Sequence, residues 1–248
     1  MYSAKINGEP TTFGTSGLLY RSNKVMYDRA TRTLWSQLLG EPVIGPLADS
    51  GIKLDFFPVN LTTWGEWLAE HPDTTILSLD TGYYPPELYE PEYDANSIYF
   101  QYRNSSKTMF PVSERDSRLN IKDQVLVLSI GDVSKAYPLK VLQQERIVND
   151  TVSGVNLVVL SGSDRSLGAA IYARKEKSFD LPADYDPDSG LPKSLFDADG
   201  SEWQLTEEAL VSVADPSQTL RRMPSHQVFW FGWFAFHPDT ELYGIDGG

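Results

Sequence analysis

The stretch Trp64-Gly65-Glu66-Trp67-Leu68-Ala69-Glu70-His71-Pro72-Asp73-Thr74 comes back as Trp230-Phe231-Gly232-Trp233-Phe234-Ala235-Phe236-His237-Pro238-Asp239-Thr240. Both tryptophans and the His-Pro-Asp-Thr run keep their internal spacing. The chain holds only 6 Trp and 3 His, and chance rarely aligns the rarest residue types. A lone tryptophan also precedes each block at nearly the same distance: Trp35 in Leu34-Trp35-Ser36-Gln37-Leu38, and Trp203 in Glu202-Trp203-Gln204-Leu205. Self-similarity on this scale predicts a doubled unit. Two such copies usually pack about an approximate two-fold axis, with like segments near one another.

The bulk numbers exclude several classes. A chain of 248 residues allows one large domain or two smaller ones and can bury a sizeable core. Its 41% hydrophobic and 22% charged residues are those of an ordinary globular protein. A net charge of -13 argues against binding to a nucleic-acid backbone or an anionic membrane surface. There is no cysteine, so disulfides, thiolate metal sites and thiol nucleophiles are excluded within the chain. No apolar run reaches membrane-spanning length; the aromatic run at 228–236 is too short. No secretory signal precedes Tyr2, and the chain opens abruptly in strand-and-turn sequence at Met1-Tyr2-Ser3-Ala4-Lys5-Ile6-Asn7-Gly8-Glu9.

Local patterns fill in the halves. Residues 1–82 read as β-rich, with short apolar runs such as Gly17-Leu18-Leu19-Tyr20 between turn residues. A short helix is expected over Thr63–Glu70, capped by Thr62 or Thr63 and stopped by Pro72, with Trp64, Trp67, Leu68 and His71 on one face. Residues 83–109 read as an irregular acidic connection, with Pro85, Pro86 and Pro91 and with tyrosines lying against the body. Gln124 to Ile130 is a strong strand, Gly131-Asp132 a turn, and Ser134 to Tyr137 the returning strand. A helix is expected over Pro138–Gln144 and a turn at Ser153-Gly154. Val155 to Leu160 is expected as a buried strand and residues 180–202 as a second polar connection. A last short helix falls near Phe229–Phe236.

Few residues carry chemistry. His71 and His237 are candidate general bases or metal ligands. The plainer reading is that each anchors a helix end before a Pro-Asp-Thr turn. His226 could join them, although no spacing points to it. In Ser113-Glu114-Arg115-Asp116-Ser117-Arg118, Arg115 and Asp116 are candidate site residues, and Arg115 with Arg118 would suit a carboxylate or phosphate. Paired surface charges explain the same segment. Asp184, Asp186 and Asp188 alternate as in a calcium loop, but the glycine comes one place late and Leu195 stands where the loop needs Glu. Asp197-Ala198-Asp199-Gly200-Ser201-Glu202 is a second acidic turn. The tryptophans, at helical spacing beside Phe and Leu, read as core rather than as sugar platforms.

Taken together, these pieces resemble a known family. Thr12-Phe13-Gly14-Thr15-Ser16-Gly17-Leu18-Leu19-Tyr20, Met26-Tyr27-Asp28-Arg29-Ala30-Thr31, Leu34-Trp35-Ser36-Gln37, Ala136-Tyr137-Pro138-Leu139, Ile147-Val148-Asn149-Asp150 and the two Trp blocks resemble the bacterial family known only as domain of unknown function 3179. The resemblance spans nearly the whole chain. In that family a first half carries Ala-Tyr-Pro-Leu, His-Glu-Ile-Val-Asn-Asp and a Cys-Pro-Leu-Cys motif, the last just ahead of the strand with which this chain begins. Some relatives are candidate selenoproteins at that motif. Here Glu145-Arg146 replaces the His-Glu pair, and Leu160-Ser161-Gly162-Ser163 has no cysteine. The resemblance implies redox or soft-metal chemistry seated upstream of Met1.

The expectation is therefore an α+β, β-rich fold of two pseudo-repeated halves sharing one core: 1–82 the remainder of the first repeat, 83–109 a connection, 110–248 the second. Two functions stand side by side. One is a truncated extracytoplasmic redox or metal-handling protein. The other is a non-enzymatic module binding a small molecule or glycan in an aromatic, acidic cleft between the halves. A hydrolase using His71 or His237 is a third. No cofactor is assigned, and an unpaired sheet edge implies self-association.

Overall fold

The computed structural model describes residues 1–89 and 94–245; Pro91 of the expected connection lies outside them. The chain opens with a small hairpin, β1 (Lys5–Ile6) and β2 (Glu9–Pro10), followed by a four-stranded antiparallel sheet in sequential order. Its strands are β3 (Phe13–Tyr20), β4 (Asn23–Asp28), β5 (Leu34–Ser36) and β6 (Pro42–Ile44). Helix α1 (Trp64–Glu70) comes next. Thr63 accepts from the Glu66 amide while the Glu66 carboxylate accepts from Thr63 N–H, the reciprocal cap that Thr-x-x-Glu encodes.

The stretch read as an irregular connection contains a 3-10 turn, Pro86–Leu88, and a helix, α2 (Ile98–Asn104). Its tyrosines do not all lie against the body: Tyr83, Tyr84 and Tyr99 are exposed. The chain then forms β7 (Gln124–Ile130), β8 (Val133–Pro138), α3 (Leu139–Glu145), β9 (Ile147–Val152), β10 (Val155–Ser161) and β11 (Ala169–Ala173). Pro138 caps α3 rather than opening it. The Ser153-Gly154 turn joins β9 to β10 with both residues at positive φ, as a two-residue hairpin requires.

Residues 180–202 are more than a connection, because two strands of a sheet begin there. That sheet comprises β12 (Phe179–Asp180), β13 (Ser194–Asp197), β14 (Glu202–Leu205), β15 (Ala209–Ser212) and β16 (Thr219–Arg221) in sequential order. The chain closes with β17 (His226–Phe229), α4 (Trp230–Phe234) and β18 (Glu241–Leu242). Strands dominate and each α-helix has seven residues or fewer, so the fold is α+β and β-rich.

The core is layered, and the layering follows from alternation along strands. Leu157, Val159 and Ile171 face the β7–β8 hairpin and α3, while Val158, Leu160, Ala170 and Tyr172 face β12–β16. That is why β10 reads as a continuous apolar run: it is buried on both faces. The far side of the β17-β7-β8-β18 sheet packs Val125, Val127 and Ala136 against Trp230, Trp233 and Phe234 of α4. The sheet β3–β6 stands beside this stack. It is joined through Arg21 Nη1 to Ala235 O (2.6 Å), Tyr20 against Phe236, and Phe56 against His226.

Candidate functional site

The two Trp blocks make the same local bonds. Trp67 Nε1 donates to Thr74 Oγ1 at 2.9 Å, and Trp233 Nε1 to Thr240 Oγ1 at 2.8 Å. The histidine of each block lies on its tryptophan, with ring centroids 4.1 Å apart for Trp67–His71 and 3.9 Å for Trp233–His237. Burial separates them. Trp64 and Trp67 are 49% and 39% exposed, against 1% and 3% for Trp230 and Trp233. The reading of all these tryptophans as core therefore holds for the second block only: α4 has a sheet to pack on, whereas α1 buries no residue.

The lone tryptophans also match. Asp28 Oδ2 accepts from Trp35 Nε1 at 2.9 Å and Asp197 Oδ2 from Trp203 Nε1 at 3.0 Å. Both aspartates sit at hairpin turns. Burial alone would raise their pKa, but hydrogen bonds from Trp35, Thr31 and Thr33 hold Asp28 below its usual value. For Asp197 the burial cost is likewise exceeded, by Lys177, the Ser201 amide and Trp203, which bring it to about 2. These carboxylates are committed to the fold.

The other proposed site residues are scattered. Arg115 Nε donates to Val112 O, and Asp116 holds Arg118 through Nε at 3.0 Å. Arg118 reaches Thr240 O and lies over Trp230 and Phe234, so it braces the second Trp block. Asp186 caps the 3-10 turn Pro187–Ser189, Asp188 pairs with Arg165 at 3.1 Å, and Asp184 is exposed. Among the described residues no three metal-ligating side chains converge, these three included. His71 is half-buried at the C-terminus of α1, 4.0 Å from Glu207.

The structure does gather residues around a cleft between the β3–β6 sheet and β17. It encloses about 460 Å³, walled by Tyr2, Phe13, Met26, Leu38, Leu54, Phe56, Leu61 and the β17 residues His226, Gln227 and Val228. Its walls carry no carboxylate, so the acidic character expected there is absent; the lining is mainly aromatic and aliphatic, with the amides of Asn23, Gln37 and Gln227, Ser3, the His226 imidazole and Met1. Three wall residues bury a polar atom that has no partner among the described residues: Asn23 Oδ1, His226 Nδ1 and Gln227 Oε1. The His226 ring meets Phe56 at 5.2 Å and Trp233 at 5.7 Å. Trp233 thus touches two imidazoles, His226 and the duplicated His237. Sequence spacing gave no sign of this, because His226 reaches the cleft through the pairing of β17 with β7.

Burial pushes both imidazoles down to about 4, His226 further influenced by the chain amino group and His237 by Glu41 and Lys53. They are neutral at physiological pH. His237 Nδ1 lies 3.2 Å from Ser134 Oγ, but a base this weak is mismatched to proton abstraction near pH 7. The cleft is lined mostly by apolar side chains, with Asn23, Gln37, His226 and Gln227 among them.

Among the described residues no helix is long and apolar enough to cross a membrane. No curated protein and no solved structure matches the chain. Residues 1–240, nearly the full length, match the family described as "Protein of unknown function (DUF3179)", and the chain belongs to that family.

Proposed function

We propose that the protein is a non-enzymatic binding module, built of two pseudo-repeated halves, whose ligand sits in the cleft between them. One observation carries this reading: buried, unpartnered polar atoms of Asn23, His226 and Gln227 around about 460 Å³ of mostly apolar space. An orphaned buried polar group costs roughly 1–3 kcal/mol, which a ligand supplying the missing partner removes. Apolar walls with a few convergent polar groups are the usual make-up of a ligand site. The paired Asp–Trp and Trp–Thr bonds described above support the duplication. The redox or metal-handling reading, which the resemblance implies, places its reactive pair outside these 248 residues, whereas the binding reading draws on residues present here.

The test is a panel of small apolar amides, alcohols and monosaccharides titrated into the protein, with binding read from the Met26 methyl and His226 ring resonances. Amides and alcohols are expected to shift both signals, and Gln227→Ala is expected to weaken them several-fold. Binding seen only as sugars stacking on the exposed Trp64 and Trp67, or no response at the cleft at millimolar ligand, would refute the reading.

A further inference from the structure

The wall of the cleft formed by β3–β6 has a counterpart elsewhere in the chain, and there it is covered. In the β12–β16 sheet, Leu195 pairs with Trp203 and Phe179 with Asp197, placing Phe179, Leu195, Asp197 and Trp203 on one face. In the β3–β6 sheet, Met26 pairs with Trp35 and Phe13 with Asp28, so Phe13, Met26, Asp28 and Trp35 share the matching face. The side chains agree in detail. Phe179 meets Trp203 edge-on at 5.9 Å and 86°, and Phe13 meets Trp35 at 5.9 Å and 89°. In the C-terminal sheet this face packs against β10 and β11 through Val158, Leu160, Ala170 and Tyr172. In the N-terminal sheet Trp35 and Asp28 are likewise covered, but Phe13 and Met26 open onto the cleft.

The edge that would receive such a cover is also present. Tyr172 of β11 makes an antiparallel bridge to Arg222 on one side and pairs with Val158 of β10 on the other. Tyr2 makes the corresponding antiparallel bridge to Phe56. The bonds flanking it run from Ser3 N to Asp55 O (2.8 Å) and from Phe57 N to Met1 O (2.9 Å). In that antiparallel pattern the N–H and C=O of the bridged residue itself, Tyr2, point to the opposite edge. Among the described residues no strand lies along that edge. Tyr2, Phe13 and Met26 all line the cleft.

We propose that the occupant of the cleft is an extended polypeptide strand, supplied from outside these 248 residues. It pairs antiparallel with the edge at Tyr2 and lays aliphatic side chains on Phe13 and Met26. This is strand addition to an open edge, in which backbone bonds give affinity and alternate side chains give selectivity. Its chemistry is that of β10, which has Val158 and Leu160 toward the matching face. The inference rests on the binding reading above and names its ligand class.

The probe is a synthetic peptide with the Val155–Ser161 sequence flanked by lysines, titrated into the whole protein by calorimetry and by the Met26 and His226 resonances. A saturable interaction at the cleft is expected. It should weaken at least about tenfold, the worth of roughly one strand hydrogen bond, when the peptide amides facing Tyr2 are N-methylated. Met26→Lys should weaken it likewise, whereas Leu18→Lys, outside the cleft walls, should leave it unchanged. N-methylation needs no protein variant, so misfolding of Met26→Lys cannot mask the answer. Equal binding of the N-methylated or a scrambled peptide overturns strand pairing but leaves a binding cleft. Small amides that bind where the peptide does not overturn the strand and spare the cleft; silence from both sinks the two together. A dimer, detected by light scattering, that is lost in Met26→Lys and excludes the peptide would replace the outside strand by a second copy.

Discussion

At the scale of single residues, the neutral imidazoles that flank Trp233 make the protein sensitive to mild acid. His226 and His237 titrate near 4 when folded, against an ordinary value of 6.5. The folded state therefore binds fewer protons at these sites than the unfolded chain does. Their contribution leaves stability intact above pH 6.5 and lowers it progressively as pH falls from there toward 4, by about 1–2 kcal/mol for each after allowance for partial exposure. The buried carboxylates Asp28 and Asp197 are displaced in the same downward sense, and their contribution is lost only as pH falls through and below the usual carboxylate range. Urea denaturation from pH 7.5 to 4.5 should show the decline, and His237→Gln and His226→Gln should each flatten it; a slope unaltered in both variants contradicts the assignment. The sequence marked His237 through its duplication but could not mark His226, whose setting depends on a strand pairing made across the whole second half of the chain.

At the scale of elements, a shared local code meets different surroundings. Both blocks have the Trp–Thr bond and the His-Pro stop, while the Thr63-x-x-Glu66 cap belongs to α1 alone, since Phe229 gives α4 no side-chain cap. None of them specifies what the helix packs on. Helix α4 rests on β7 and β8, while α1 presents Trp64, Trp67 and Leu68 to solvent. Trp233→Ala should therefore cost about 3–5 kcal/mol, the range for a buried aromatic, and Trp67→Ala no more than about 1 kcal/mol, its loss being mostly one hydrogen bond. Chemical denaturation of the two variants checks this, and equal costs would mean that α1 is covered in solution. Helix α2 was not legible for the opposite reason: Ser97 makes no side-chain cap bond, the first turn has no acidic residue, and aromatics of modest helix propensity fill it. What holds it is distant, Lys122 reaching Tyr102 O and lying over the Tyr102 ring.

At the scale of the molecule, stability is unevenly spread. The three clusters of buried apolar side chains all lie between Leu119 and Tyr243, whereas the N-terminal sheet fully buries only Val25 and Trp35 of its hydrophobic residues. Alternation and turn residues made β7, β8 and β10 readable almost to the residue; β7 and β10, buried on both faces, leave a dense apolar signature. The sheet β3–β6 gave a weaker one, since Leu18, Leu19 and Ile44 are exposed and Phe13 and Met26 open onto the cleft. Regions with few buried apolar contacts open at lower free energy than the global core. Amides of β10 and β11 should accordingly exchange with solvent only through global unfolding, and those of β3–β5 through an earlier, partial opening. Filling the cleft couples the two, because a ligand that binds only the closed form stabilises it by RT ln(1 + [L]/Kd). Saturating the protein with the β10-sequence peptide at about a hundredfold over Kd should thus raise the opening free energy of β3–β5 by roughly 2.7 kcal/mol, while β10 gains no more than the same increment through global unfolding. Uniform protection across both sheets in the free protein would show instead that the N-terminal sheet draws its stability from the stacked core and not from the cleft.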